Sequence, residues 1–88
     1  MKSNVFEQIG FSREEAAALK MKSELHSQIV KAIKRKGYTR ADLQKRLGES
    51  QPRVSDLMTG KISKFSLETL ITYAEGLGLH PQILVEAR

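Results

Sequence analysis

Residues 39–61 read TRADLQKRLGESQPRVSDLMTGK, and their pattern decides the fold. Leu43 and Leu47 stand four apart with Ala41 nearby, so they share one face of a helix. Thr39 is placed to cap that helix and Gly48 to stop it. A second amphipathic segment begins almost at once. Val54, Leu57 and Met58 fall on one side of it, Gln51, Pro52, Arg53, Ser55, Asp56 and Thr59 on the other, and Gly60 ends it. A proline inside a helix costs about 3 kcal/mol, so Pro52 must lie in the first turn, where no intrahelical bond is lost. Two registers satisfy this. With Ser50 as N-cap, Pro52 is the second helical residue, and the Ser50 hydroxyl must bond the N–H of Arg53. With Gln51 as cap, Pro52 is the first helical residue, a favoured place for it.

Two short helices joined through a glycine-containing tight turn fit the helix-turn-helix motif, whose second helix lies in the DNA major groove. Charge supports a polyanion-binding face. Residues 31–64 carry ten basic and three acidic side chains, residues 1–30 balance at four each, and residues 65–88 carry one basic and three acidic. The whole chain of 88 residues carries +5, concentrated in its centre. It contains no cysteine, which removes disulfides, thiolate metal sites and a cysteine nucleophile. No apolar run approaches the ~20 residues that span a bilayer, so a cytoplasmic protein that does not engage a membrane is expected.

Outward from the motif, the chain organises as one all-α domain over residues 12–88 behind an arm, residues 1–11. Ser12 and Glu15 form a capping box for a long first helix, about 12–36, with Ala18, Met21, Leu25, Ile29 and Ile33 as its apolar stripe. The next helices are expected at about 39–47, 51–59 and 66–77. Ile62 and Phe65 plug the core from the loop, and Ser66 caps the last helix, whose face carries Leu67, Leu70, Ile71, Ala74 and Leu77. A short strand is expected at about 82–86, because Ile83, Leu84 and Val85 follow Pro81.

The stretch from Thr39 through Gly78 resembles the helix-turn-helix core of the lambda-repressor-like, or xenobiotic-response-element (XRE), family. The shared features are the Gly turn, Ser50-Gln51 before the recognition helix, the Val54-Ser55 step, Gly60-Lys61, and a final amphipathic helix ending in Leu77-Gly78. Arg40 stands where the family usually has glutamine, and Gln44 where it usually has alanine. The resemblance implies a compact four-helix DNA-binding domain, here with a long first helix, an N-terminal arm and a C-terminal strand. The flanks are similar to HigA-type antitoxins, which are encoded beside a small toxin that cleaves messenger RNA. Other members of that branch of the family are stand-alone regulators, so the likeness implies a transcriptional regulator, an autorepressor of its own operon, or alternatively an antitoxin whose main role is to bind and neutralise a partner toxin.

Within the motif, Gln51 can present its amide bidentately to adenine, and Arg53 can pair with guanine or bridge to phosphate. Ser55 is tolerant of either. Asp56 can accept from cytosine N4 or orient Arg53 three residues earlier. With Pro52 these are the candidate base-contacting residues. Candidate phosphate contacts are Arg40, at the positive end of its helix, Gln44, Thr59, Lys61, Ser63 and Lys64, with Lys34, Lys36 and Lys45 as weaker ones. His26 and His80 lack partners at metal spacing and read as packing or surface residues, and Glu14 and Glu15 suit a helix N-terminus. No catalytic constellation, metal site or cofactor loop is present in the sequence, so neither an enzyme nor a cofactor is expected. One motif reads few base pairs, so a homodimer on a palindromic operator is expected, with half-sites about 34 Å apart. The strand and last helix are its candidate interface. The strand can pair with its twin or with the arm around Val5–Ile9. Phe6, Ile9 and Phe11 in that arm can pack on the first helix or engage a toxin.

Overall fold

The computed structural model describes residues 12–87. Four helices occupy most of them: α1 (Arg13–Lys36), α2 (Arg40–Leu47), α3 (Gln51–Met58) and α4 (Leu67–Gly76), with a single 3-10 turn (Ile62–Lys64) between the last two. Each helix starts on a side chain that the sequence supplies for the purpose. Ser12 and Glu15 bond each other's backbone N–H groups at 3.0 and 3.2 Å. Thr39 and Asp42 repeat this capping box at 3.1 and 2.9 Å, and Ser66 accepts from the N–H of Thr69 at 3.0 Å. The Ser50 hydroxyl accepts from the N–H of Arg53 at 3.4 Å, which settles the register of α3. Gln51 is the first helical residue and Pro52 the second, so the preference of a residue before proline for extended backbone gives way here to the cap.

The α1 and α4 helices pack against one another, and α2 and α3 form the tight pair. The core between them consists of Ile29 and Ile33 of α1, Leu43 of α2, Val54 and Leu57 of α3, Phe65, and Leu70, Tyr73, Ala74 and Leu77 around α4. Leu25, Leu47 and Met58 pack on its edge. Burial of a leucine- or phenylalanine-sized side chain contributes about 1.5–3 kcal/mol, which makes this cluster the main source of stability.

Two long side chains then tie α1 to the far ends of the other helices. The Nε2 of His26 donates to the Leu57 carbonyl at 2.6 Å, at the C-terminal end of α3. The Nζ of Lys36 donates to the Leu77 carbonyl at 2.6 Å, just beyond α4. Gly78 sits at φ +82°, where a Cβ would stand 2.9 Å from that ammonium.

Three expectations change. Residues 82–87 form no strand: Ile83, Leu84 and Val85 are 66–86% exposed, and no described residue pairs with their backbone. A strand needs a neighbour to satisfy its N–H and C=O groups, and an apolar run does not supply one. The arm proposed as its partner lies outside the described residues. Second, the apolar stripe of α1 departs from the expected one in its early turns: Ala18 is exposed and Met21 is 42% exposed, whereas Ala16 is the buried alanine there. Third, Ile62 is half-buried, and Phe65 alone plugs the core from its loop.

The α2–α3 turn depends on Gly48 at φ +66°, with nothing within 4 Å of where a Cβ would be. The cost of a side chain there is therefore a backbone cost alone. Gly48→Ala is expected to destabilise the fold by about 1–2 kcal/mol in urea unfolding, and Gly48→Asn by less. Equal stabilities for wild type and Gly48→Ala would contradict this account of the turn.

Candidate nucleic-acid interface

The exposed side of α3 is held by what lies behind it. The guanidinium of Arg53 stacks on the buried ring of Phe65, 4.1 Å from its centroid, and donates to the Lys64 carbonyl at 3.0 Å. Its Nε lies 3.9 Å from the Glu49 carboxylate. Glu49 in turn accepts a hydrogen bond from the Tyr73 hydroxyl, and the Tyr73 ring meets Phe65 edge-on at 5.9 Å and 72°. The four side chains close a ring that joins the turn before α3, the first turn of α3, the loop after it and α4. A stacked cation that is still about one-third exposed contributes about 1 kcal/mol, and the carboxylate orients it.

Arg53 thus faces inward more than its outward place in the sequence suggests. The sequence pattern places Phe65 in the core, but it does not single out Glu49 or Tyr73. The i,i+4 spacing of Glu49 and Arg53 is the one available signal for Glu49.

Gln51 and Pro52 are exposed at the open end of α3, and Ser55, half-buried, follows Gln51 by one helical turn. Asp56 does not orient Arg53. Its two carboxylate oxygens lie 3.7 Å from Lys61 Nζ and 3.4 Å from Lys64 Nζ. The Thr59 hydroxyl donates to the Ser55 carbonyl at 2.9 Å, which closes the last turn of α3. Ser63 is exposed beside the lysines.

At the start of α2, Arg40 is exposed and Gln44 half-buried one turn later. The Thr39–Asp42 box occupies two of the four donors there, and the backbone bond from Thr39 holds the Asp42 carboxyl below its usual range. The N–H groups of Arg40 and Ala41 remain as the anion-facing pair. Among the weaker candidates, Lys34 and Lys45 are exposed, whereas Lys36 is engaged with Leu77. Arg46 lies over the Tyr38 ring at 4.5 Å. The structure therefore packs α3 against α2 and against the turn that follows it, with Lys61 and Lys64 beyond its C-terminal end.

The sequence matches the helix-turn-helix domain family over residues 5–86. Among solved structures, the chain is similar to a protein described as an XRE family transcriptional regulator. The TM-score is 0.76 and the identity 30%, over 83% of this chain and 82% of that one. It is also similar to a chain of a toxin-antitoxin module from Streptococcus pneumoniae, with a TM-score of 0.59 and 27% identity over 98% and 97% of the two chains. No curated protein matches the sequence. The chain belongs to the helix-turn-helix domain family and has an XRE-like fold.

The ring around Arg53 has a pH signature. Burial, reinforced by the neighbouring Glu49 carboxylate, pushes the Tyr73 hydroxyl up to about 12 from its ordinary 10.0. The unfolded chain ionises first, so the stabilisation is fully present below about pH 10 and is lost as pH rises towards about 12. Tyr73→Phe is expected to lower stability by about 1–3 kcal/mol near neutral pH by leaving Glu49 without its donor. In urea unfolding the gap between the two proteins should narrow between about pH 10 and about pH 12. A constant gap across that window would remove Tyr73 from the ring.

Proposed function

We propose that this helix-turn-helix protein is a sequence-specific DNA-binding transcriptional regulator, acting as a dimer on a palindromic operator and repressing its own operon. The observation that carries the reading is the presentation of α3. Its N-terminal end is exposed, its first turn is tied to Phe65, Glu49 and Tyr73 through Arg53, and Lys61 and Lys64 follow its C-terminal end. On this reading Gln51, Pro52, Arg53, Ser55 and Asp56 form the side that enters the major groove. Gln51 is the principal base reader, and Arg53 sets the angle of the helix first and meets DNA second. Arg40, Gln44, Thr59, Lys61, Ser63 and Lys64 face the phosphates. No enzymatic step is assigned to the chain, and its place of action is the cytoplasm.

The dimer is assigned to the apolar surface that the single chain leaves open. Met21, Leu25, Leu67, Ile71 and Leu79 line a groove of about 980 Å³ between α1, α4 and the C-terminal segment, beside exposed Ile83 and Leu84. A surface of this kind marks an interaction site. A second reading, an antitoxin whose main role is to bind and neutralise an RNA-cleaving toxin, uses the same surface. It is favoured by the near-complete overlap with a chain of a toxin-antitoxin module. The readings separate by mass. A self-associating regulator sediments as two chains at micromolar concentration, and Leu84→Asp reduces it to one. A wild-type monomer would turn the groove over to a different protein.

The DNA reading is tested on the duplex immediately upstream of the reading frame. Gln51→Ala is expected to weaken binding about 5- to 150-fold, the value of one bidentate base pair contact. Arg40, Lys61 and Lys64 are the cations among these residues, and if each neutralises one phosphate, log K falls against log salt with a slope of about −3. Wild-type affinity retained by Gln51→Ala would sink the assignment of the groove-facing side.

A further inference from the structure

Asp56 is the one acidic side chain on α3, and a carboxylate there repels the phosphates that α3 would lie between. Its environment gives it a different task from reading a base. Each of its oxygens faces one lysine of the following loop, at 3.7 Å for Lys61 and 3.4 Å for Lys64. The carboxylate is four-fifths covered, with side-chain exposure of 20%, whereas the lysines are 57% and 54% exposed. The anion is therefore largely enclosed, and the cations project into solvent. The arrangement resembles a phosphate held between two lysines, with the carboxylate in the place of the phosphate.

We infer that Asp56 is an internal competitor for DNA phosphates, a positioning residue that restrains Lys61 and Lys64 and sets the strength and salt dependence of binding. The inference rests on the DNA-binding reading. On docking, both ammonium groups transfer from Asp56 to phosphate oxygens, and the carboxylate remains beside the backbone as an uncompensated charge. The trio carries +1 in the free protein and would carry +2 without the carboxylate. The restraint acts through charge alone, so it weakens binding to every sequence by the same factor. It lowers the affinity of a protein of net charge +5 for DNA of any sequence and leaves the choice between sequences to the base-facing residues.

The test compares Asp56→Asn with wild type on two duplexes of equal length, the upstream fragment and a random sequence, across about 50 to 200 mM salt. The expected result is tighter binding by about tenfold on both duplexes at the low-salt end, and a slope steeper by about 1. Lys64→Gln should cost more in the Asp56→Asn background than in wild type, because only there is the lysine unrestrained. A cytosine-reading Asp56 gives the opposite sign: Asp56→Asn would weaken the upstream complex and leave the random one unchanged, which would overturn the inference. Unchanged binding on both duplexes would overturn it too, while leaving the DNA reading standing. If wild type binds neither duplex, the DNA reading itself falls and the inference with it. Thermal melting of Asp56→Asn and the Lys64→Gln variants confirms that each comparison is between folded proteins.

Discussion

The contact of Arg53 with Phe65 is the constraint around which the DNA-facing half is arranged. An arginine on the first turn of a short helix would ordinarily extend into solvent. Here its planar cation covers the one aromatic ring that seals the core from the loop side, and Glu49 and Tyr73 hold it there. An eight-residue helix has little stability of its own, since its two turns hardly recover the cost of nucleation. The tilt of α3 therefore comes from its neighbours. The ring supplies them from both sides in sequence, Glu49 before the helix and Phe65 and Tyr73 after it.

Much of the fold was legible because helix ends are written in short-range chemistry. The Ser12–Glu15 pair, Thr39, Ser50 and Ser66 each act within three residues, and the stop at Gly48 needs only a backbone of positive φ. The core followed from the spacing of Leu43, Leu47, Val54 and Leu57. What was not legible lies at longer range. Nothing local distinguishes an Arg53 that reads a base from one that stacks on a ring twelve residues later, or a Lys36 that meets a phosphate from one that caps the end of α4. The strand at 82–86 failed for a related reason. Apolar, β-branched composition states what a segment can do when paired, and pairing is a property of the surroundings.

Charge is arranged in two tiers around α3. Arg53 is committed to the interior, while Lys61 and Lys64 are held loosely over Asp56. The first sets geometry and survives added salt, because a stacked, partly buried cation is poorly screened. The second lies in the solvent, where a screening length of about 8 Å at physiological ionic strength governs its reach. Shape and attraction are thus controlled by separate groups, and a change in one leaves the other in place.

The long-range bonds also bear on how the domain comes apart. The Tyr73–Glu49 bond closes a span of 24 residues, the His26–Leu57 bond one of 31, and the Lys36–Leu77 bond one of 41. Loop-closure entropy grows with the logarithm of length, so the longest of these costs only about 0.5 kcal/mol more than the shortest. No part of the helix assembly has a large entropic head start over the rest. The α2–α3 pair is too short to persist alone, and it shares its buried side chains with α1 and α4. The described helices therefore melt together, and hydrogen exchange at α3 reports the stability of the whole assembly rather than a local opening.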